Sequence, residues 1–178
     1  MVLVILCGCS GAHNEMDQAL QLRRKLLESE GCTFTAVVTA DYGDAVYTFT
    51  MDCAADKAGR VSFEVTQPES IAGVTGFFSE QSGALTFDDQ VLAFPPLTDE
   101  QITPVSSPWL LIRTLRSGYL TSCGSTSEGM CIAMDDSYQE NALHLDIWTD
   151  ETNEPVRCEI LYKGRRILSM RVNGFTYL

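Results

Sequence analysis

Few residues in this chain are placed to do chemistry, and their spacing limits what they can do. His144 and Asp146 stand two apart in Ala142 to Trp148, where Leu143, Leu145 and Ile147 alternate with them. Such alternation reads as a strand and puts His144 and Asp146 on one face. A His–Asp couple can orient a proton carrier, but hydrolysis also needs a nucleophile. The loop Gly124-Ser125-Thr126-Ser127-Glu128-Gly129 contains no G-x-S-x-G elbow and reads as a hairpin connection. No P-loop and no G-x-G-x-x-G occurs. Asp135-Asp136 and Asp150-Glu151 lack the spaced acids of a calcium loop and read as turn residues. The simpler reading of His144 and Asp146 is a paired surface couple. No catalytic residue is assigned, and a non-enzyme is expected.

Seven cysteines are present: Cys7, Cys9, Cys32, Cys53, Cys123, Cys131 and Cys158. None form C-x-x-C, and the only histidines are His13 and His144, so no metal site and no cofactor are expected. The amino terminus is more telling. Val2 to Leu6 is a short apolar run that leads into Leu6-Cys7-Gly8-Cys9. This resembles a lipobox. Small Gly8 lets a signal peptidase approach the scissile bond, and the Cys9 thiol is the nucleophile for diacylglycerol transfer. The run is shorter than a usual signal core, and no Lys or Arg precedes it. Both features would follow from a start upstream of Met1. The expected organisation is a signal segment over 1–8, a lipidated tether over 9–13 and a β-rich domain over 14–178. Lipid on Cys9 would hold the domain on the extracytoplasmic face of a membrane.

The net charge is −12, with 45% hydrophobic and 20% charged residues. A chain so acidic makes a poor nucleic-acid partner, because phosphate contacts need clustered Lys and Arg. The two basic clusters, Arg23-Arg24-Lys25 and Lys163-Gly164-Arg165-Arg166, read as solvated surface. Attachment to a membrane should therefore come from the anchor and not from a basic face. No segment approaches the roughly 20 apolar residues of a spanning helix.

The elements that position these residues follow from periodicity. Asn14 to Glu30 reads as a helix, with Asn14 as cap, an apolar stripe of Met16, Ala19, Leu20, Leu26 and Leu27, and Gly31 as stop. Cys32 to Ala54 then alternates. A two-residue loop at Tyr42-Gly43 would pair Val38 with Tyr47, Ala36 with Phe49, Phe34 with Met51 and Cys32 with Cys53 on one dry face. The other face pairs Val37 with Thr48, Thr35 with Thr50 and Thr33 with Asp52. Opposed cysteines in an oxidising compartment make Cys32–Cys53 a possible disulfide.

Arg60 to Thr66, Ala84 to Phe87 and Val91 to Phe94 are further strands. A second helix opens at Ser107-Pro108-Trp109 and stops at Gly118. Five strands follow: Tyr119 to Cys123, Met130 to Met134, Ala142 to Trp148, Val156 to Tyr162 and Ile167 to Val172. A loop at Lys163-Gly164-Arg165 pairs Ile160 with Leu168 and Cys158 with Met170. The fold expected is α+β: a large curved antiparallel sheet, an open half-barrel, with an N-terminal helix and a crossover helix on its concave side.

The order helix, meander, crossover helix beginning Ser107-Pro108-Trp109-Leu110-Leu111, second meander resembles the outer-membrane lipoprotein carrier superfamily. Val65-Thr66-Gln67-Pro68-Glu69, Leu85 to Phe94 and Ser107 to Gly118 carry the resemblance. The chain is also similar to lipidated members from Gram-positive anaerobes, including one that acts in spore germination. The resemblance implies an apolar interior that holds acyl chains under helical lids. On this chain Phe34, Phe49, Met51, Phe63, Trp109, Ile112, Ile160 and Met170 would line that cavity. The soluble carriers are unlipidated, and a tethered domain cannot shuttle. The expected function is therefore binding of an apolar ligand or of an envelope protein partner at the membrane. The alternative is a ligand-free interaction module that supports another envelope protein, such as a spore-germination hydrolase.

Overall fold

The computed structural model describes residues 10–87, 90–94 and 103–178. Cys9 and the lipobox-like segment lie outside the described residues. The chain forms α1 (Ser10–Glu28), β1 (Gly31–Asp41), β2 (Val46–Asp56), β3 (Val61–Gln67), β4 (Thr75–Phe78), β5 (Gly83–Phe87) and β6 (Gln90–Phe94). There follow α2 (Ser107–Ser117), β7 (Tyr119–Thr126), β8 (Gly129–Asp135), β9 (Leu143–Thr149), β10 (Pro155–Tyr162) and β11 (Arg165–Tyr177). All eleven strands make one sheet in the order β6-β5-β4-β3-β2-β1-β11-β10-β9-β8-β7. The architecture is the expected α+β half-barrel, with both helices on the concave side.

The order has a simple logic. Two antiparallel meanders, β1–β6 and β7–β11, are sewn together where the first strand pairs with the last. This leaves β6 and β7 as the two edges, so the connection between them must cross a face. α2 lies in that connection and packs against β2, β3 and β8, strands of both meanders. Its sequence suits burial nearly all round: Trp109, Leu110, Leu111, Ile112 and Leu115 are all buried. A single turn at Pro104–Ser106 leads into it, and Gly118 follows its last residue, donating its N–H to Thr114 O at 2.8 Å.

Several local expectations are corrected. The β1–β2 loop has four residues, not two. Asp41 pairs with Val46, Tyr42 N–H donates to Ala45 O, and Gly43 N–H donates to Asp41 Oδ1 at 2.8 Å. That Asx turn, with Gly43 at φ 87°, lengthens the loop and slides the register by two. Phe34 therefore faces Cys53, Ala36 faces Met51 and Val38 faces Phe49. A slip of two leaves every side chain on its expected face. It does move Cys32 opposite Ala55, so Cys32 and Cys53 are diagonal neighbours, and both are free thiols.

Helix α1 begins at Ser10, which places Asn14 inside it and turns most of the expected 9–13 tether into helix. Its buried stripe is Ala19, Leu22 and Leu26, while Met16, Leu20 and Leu27 are exposed. The buried and exposed sets lie about 100° apart on the helix, and docking against β7 and α2 selects the former. Gly31 does not stop the helix; it opens β1, where an added Cβ would stand 2.2 Å from Ala55 O. Strand β4 was not expected, because Thr75–Phe78 is too short for alternation to show. In the last hairpin Cys158 faces Met170 and Ile160 faces Leu168 as expected, but the loop is Lys163-Gly164 alone: Arg165 pairs with Tyr162, and a register shift between Ile160 and Leu161 restores the expected pairs.

Candidate functional site

The residues expected to line a ligand cavity do come together, but as a filled core. Phe34, Phe49, Met51, Phe63, Trp109, Ile112, Ile160 and Met170 all belong to one buried cluster on the concave side. Phe78 bridges the sheet and α2, its ring 6.0 Å from Phe63 and 6.4 Å from Trp109. Phe34 stacks on Phe175 at 5.5 Å. A bulge in β11 makes that last contact: Thr33 pairs with Thr176 but Thr35 with Asn173, so β11 carries one extra residue. Gly174, at φ 62°, accommodates it, and the bulge turns Phe175 inward. Between α1, α2 and the sheet, the space bounded by Ala19, Leu115, Ile132 and Met134 holds about 10 Å³, room for one water molecule at most. The expectation of a partly hollow interior is thus corrected, because α2 supplies the side chains that an acyl chain would otherwise replace.

The open space lies on the opposite face. A groove of about 760 Å³ runs across β11, β1, β2, β3, β4 and β5. Its floor is a row set by strand pairing: Asn173, Thr35, Asp52, Glu64, Thr75 and Thr86, each directly opposite the next. The row consists of one amide, three threonines and two carboxylates. Thr35 Oγ1 donates to Asp52 Oδ1 at 2.8 Å. Among the described residues, no basic side chain pairs with Asp52 or Glu64. Arg60 and Phe77 also line the groove, the guanidinium 3.7 Å above the ring centroid. No part of this groove was expected. The polar faces of β1 and β2 were legible, but the row needs β4 and the β1–β11 pairing, neither of which the sequence shows.

Of the other expected groups, His144 is a paired surface couple. Its Nδ1 lies 2.7 Å from Asp135 Oδ1 and its Nε2 3.3 Å from Asp146 Oδ1. Among the described residues, neither ring nitrogen contacts a hydroxyl or thiol, as a proton relay to a nucleophile would require. Burial pushes the Cys32 thiol up to about 12 and Cys131 to about 11, and also raises Cys53, Cys158 and Cys123, which disfavours the thiolate at each. No three metal-ligating side chains converge among the described residues. No helix among them is long and apolar enough to cross a membrane.

No family model and no curated relative matches the chain. Solved structures do share its fold. An uncharacterized conserved protein from Thermus thermophilus aligns at a TM-score of 0.51 with 17% identity, over 92% of this chain and 87% of the other. A DUF1329 family protein from Desulfovibrio piger aligns at 0.51 with 10% identity, over 93% and 92%. A domain from Vibrio parahaemolyticus, provisionally described as an outer membrane lipoprotein-sorting protein, aligns at 0.50 with 10% identity, over 94% and 93%. Identities this low establish a shared half-barrel fold.

Proposed function

We propose that this chain is a non-enzymatic, extracytoplasmic binding module, anchored through lipid on Cys9, that engages a protein partner of the cell envelope. The filled core carries this reading. An interior acyl-binding site would require α2 to leave the sheet and expose Trp109, Leu110, Leu111, Ile112 and Leu115. Exposing a large apolar side chain costs roughly 1.5–3 kcal/mol, so the five together cost on the order of 10 kcal/mol. That rivals the whole stability of a typical domain. The lipobox-like Leu6-Cys7-Gly8-Cys9 supports the anchor and the address.

The shared fold with the Vibrio domain favours a second reading, an apolar ligand held beneath α2. Native mass spectrometry of protein purified from membranes, with an apolar dye titration, separates the two. The partner-binding reading expects a mass that carries only the covalent anchor, and no saturable dye signal. A co-purified lipid or a stoichiometric dye site would overturn it. The anchor has its own test. Protein made with a complete signal partitions into detergent and Cys9→Ser does not; a Cys9→Ser variant still in the detergent phase rejects it.

A further inference from the structure

We infer that the outer groove across β11, β1, β2, β3, β4 and β5 binds an extended, lysine-bearing peptide segment, with an ammonium group seated between Asp52 and Glu64. The inference rests on the partner-binding reading and supplies its site and chemistry. Three observations converge on it. The first is shape, since the groove's volume of about 760 Å³ far exceeds the space left in the core. The second is charge. Asp52 and Glu64 are directly opposed on neighbouring strands, where like charges repel, and both are exposed. Asp52 accepts a hydrogen bond only from Thr35 among the described residues, so both carboxylates retain acceptor capacity. An ammonium between them would have three donors to share and would relieve the repulsion.

The third observation is the spread of the hydrogen-bonding groups. Neighbouring strands lie about 4.8 Å apart, so the row from Asn173 to Thr86 extends over about 24 Å. That is the length of about seven extended peptide residues. The hydroxyls of Thr35, Thr75 and Thr86 and the Asn173 amide can each donate or accept, as a peptide backbone demands. At the side of the row, Arg60 stacked on Phe77 offers a flat platform for an aliphatic stem.

The test uses a fluorescein-labelled heptapeptide of alternating lysine and threonine, its twin with glutamate replacing lysine, and spermine as competitor, followed by anisotropy. The full mature chain should bind the lysine peptide saturably, bind its glutamate twin at least tenfold more weakly, and lose affinity as salt rises. Asp52→Asn with Glu64→Gln should weaken binding about five- to tenfold, in keeping with two partly exposed ion pairs. The double variant removes a repulsion without touching the core, so its thermal midpoint should hold or rise, which separates lost binding from lost fold. No binding at millimolar peptide overturns the inference, as does binding unchanged in the double variant. Displacement by spermine at equal concentration would make the groove a polyamine site and also overturn it. None of these failures touches the filled core or the anchor, whose mass-spectrometric and partitioning tests are separate.

Discussion

The outward carboxylates of the β7–β11 meander mostly meet basic side chains, whereas Asp52 and Glu64 of the β1–β6 meander do not. On the first, Arg157 pairs with Glu128 and Glu159, Arg166 also binds Glu159 at 2.8 Å, and His144 sits between Asp135 and Asp146. Arg157 lies 4.3 Å above the Trp148 ring. On the second, Asp52 and Glu64 face each other among hydroxyls, and no basic side chain among the described residues pairs with either. The two meanders share one continuous core. What differs is whether the surface has closed on itself. A face whose charges are satisfied contributes modestly to stability; a face that leaves them open has capacity for a partner.

The core beneath both faces is where substitution should cost most. Trp109→Ala removes the side chain that joins α2 to Phe78 and should lower stability by about 3–5 kcal/mol in denaturant unfolding. A loss under 1 kcal/mol would mean that α2 does not fill the interior, and the contrast between a closed core and an open groove would dissolve.

The neutralised face should show a smaller, acid-dependent effect. Burial works to raise the Glu159 carboxyl, but hydrogen bonds and charge from Arg157 and Arg166 outweigh it and hold it below the ordinary glutamate value. A depressed carboxyl stabilises the fold fully above its unfolded value of about 4.3, and that stability is lost as pH falls through the lower folded value. Glu159→Gln should therefore cost about 1 kcal/mol at neutral pH, between an exposed ion pair and a buried charged hydrogen bond. The gap to the parent should close toward pH 3. Urea midpoints across that range check it, and a constant gap would break the assignment.

The open face should respond with the opposite sign. Replacing Asp52 and Glu64 by Asn and Gln should leave stability unchanged or raise it by about 0.2–1 kcal/mol, because opposed like charges destabilise by that order. A clear loss in calorimetry would show that the pair is satisfied after all and that the two meanders do not differ. The smallest effect concerns Cys32 and Cys53. Both are buried, with thiols raised by burial, so alkylation of the native protein at pH 8 should leave them unmodified. Peptide mapping without reductant should find no bridge between them.

Much of this structure is written in the order of the residues, and the reason is local. Alternation in Cys32–Ala54, Ala142–Trp148 and Val156–Val172 assigns side chains to faces without knowledge of partners, because side chains alternate along any strand. Ser107-Pro108-Trp109 and Gly118 do mark the two ends of α2, although Ser107 is its first residue and not its cap: Ser106 holds that position without a side-chain cap bond, and the Ser107 hydroxyl donates to Pro104 O. For the same local reason the eight apolar residues expected to share an interior do share one. The exact β1–β2 register escaped because it hung on one hydrogen bond, from Gly43 N–H to Asp41 Oδ1. The stripe expected on α1 held for Ala19 and Leu26 but not for Met16, Leu20 and Leu27, because the helix's rotation was set by its docking against β7 and α2. Whether the half-barrel was hollow depended on how deep α2 sat, which no period encodes. The groove was the least legible of all, since its floor joins residues as distant as Thr35 and Asn173 through the pairing of the first strand with the last. The sequence by itself determined the faces; only the closing of β1 onto β11 decided which polar positions became neighbours, because strand pairing across the whole chain is a property of the packed sheet and not of any window of residues.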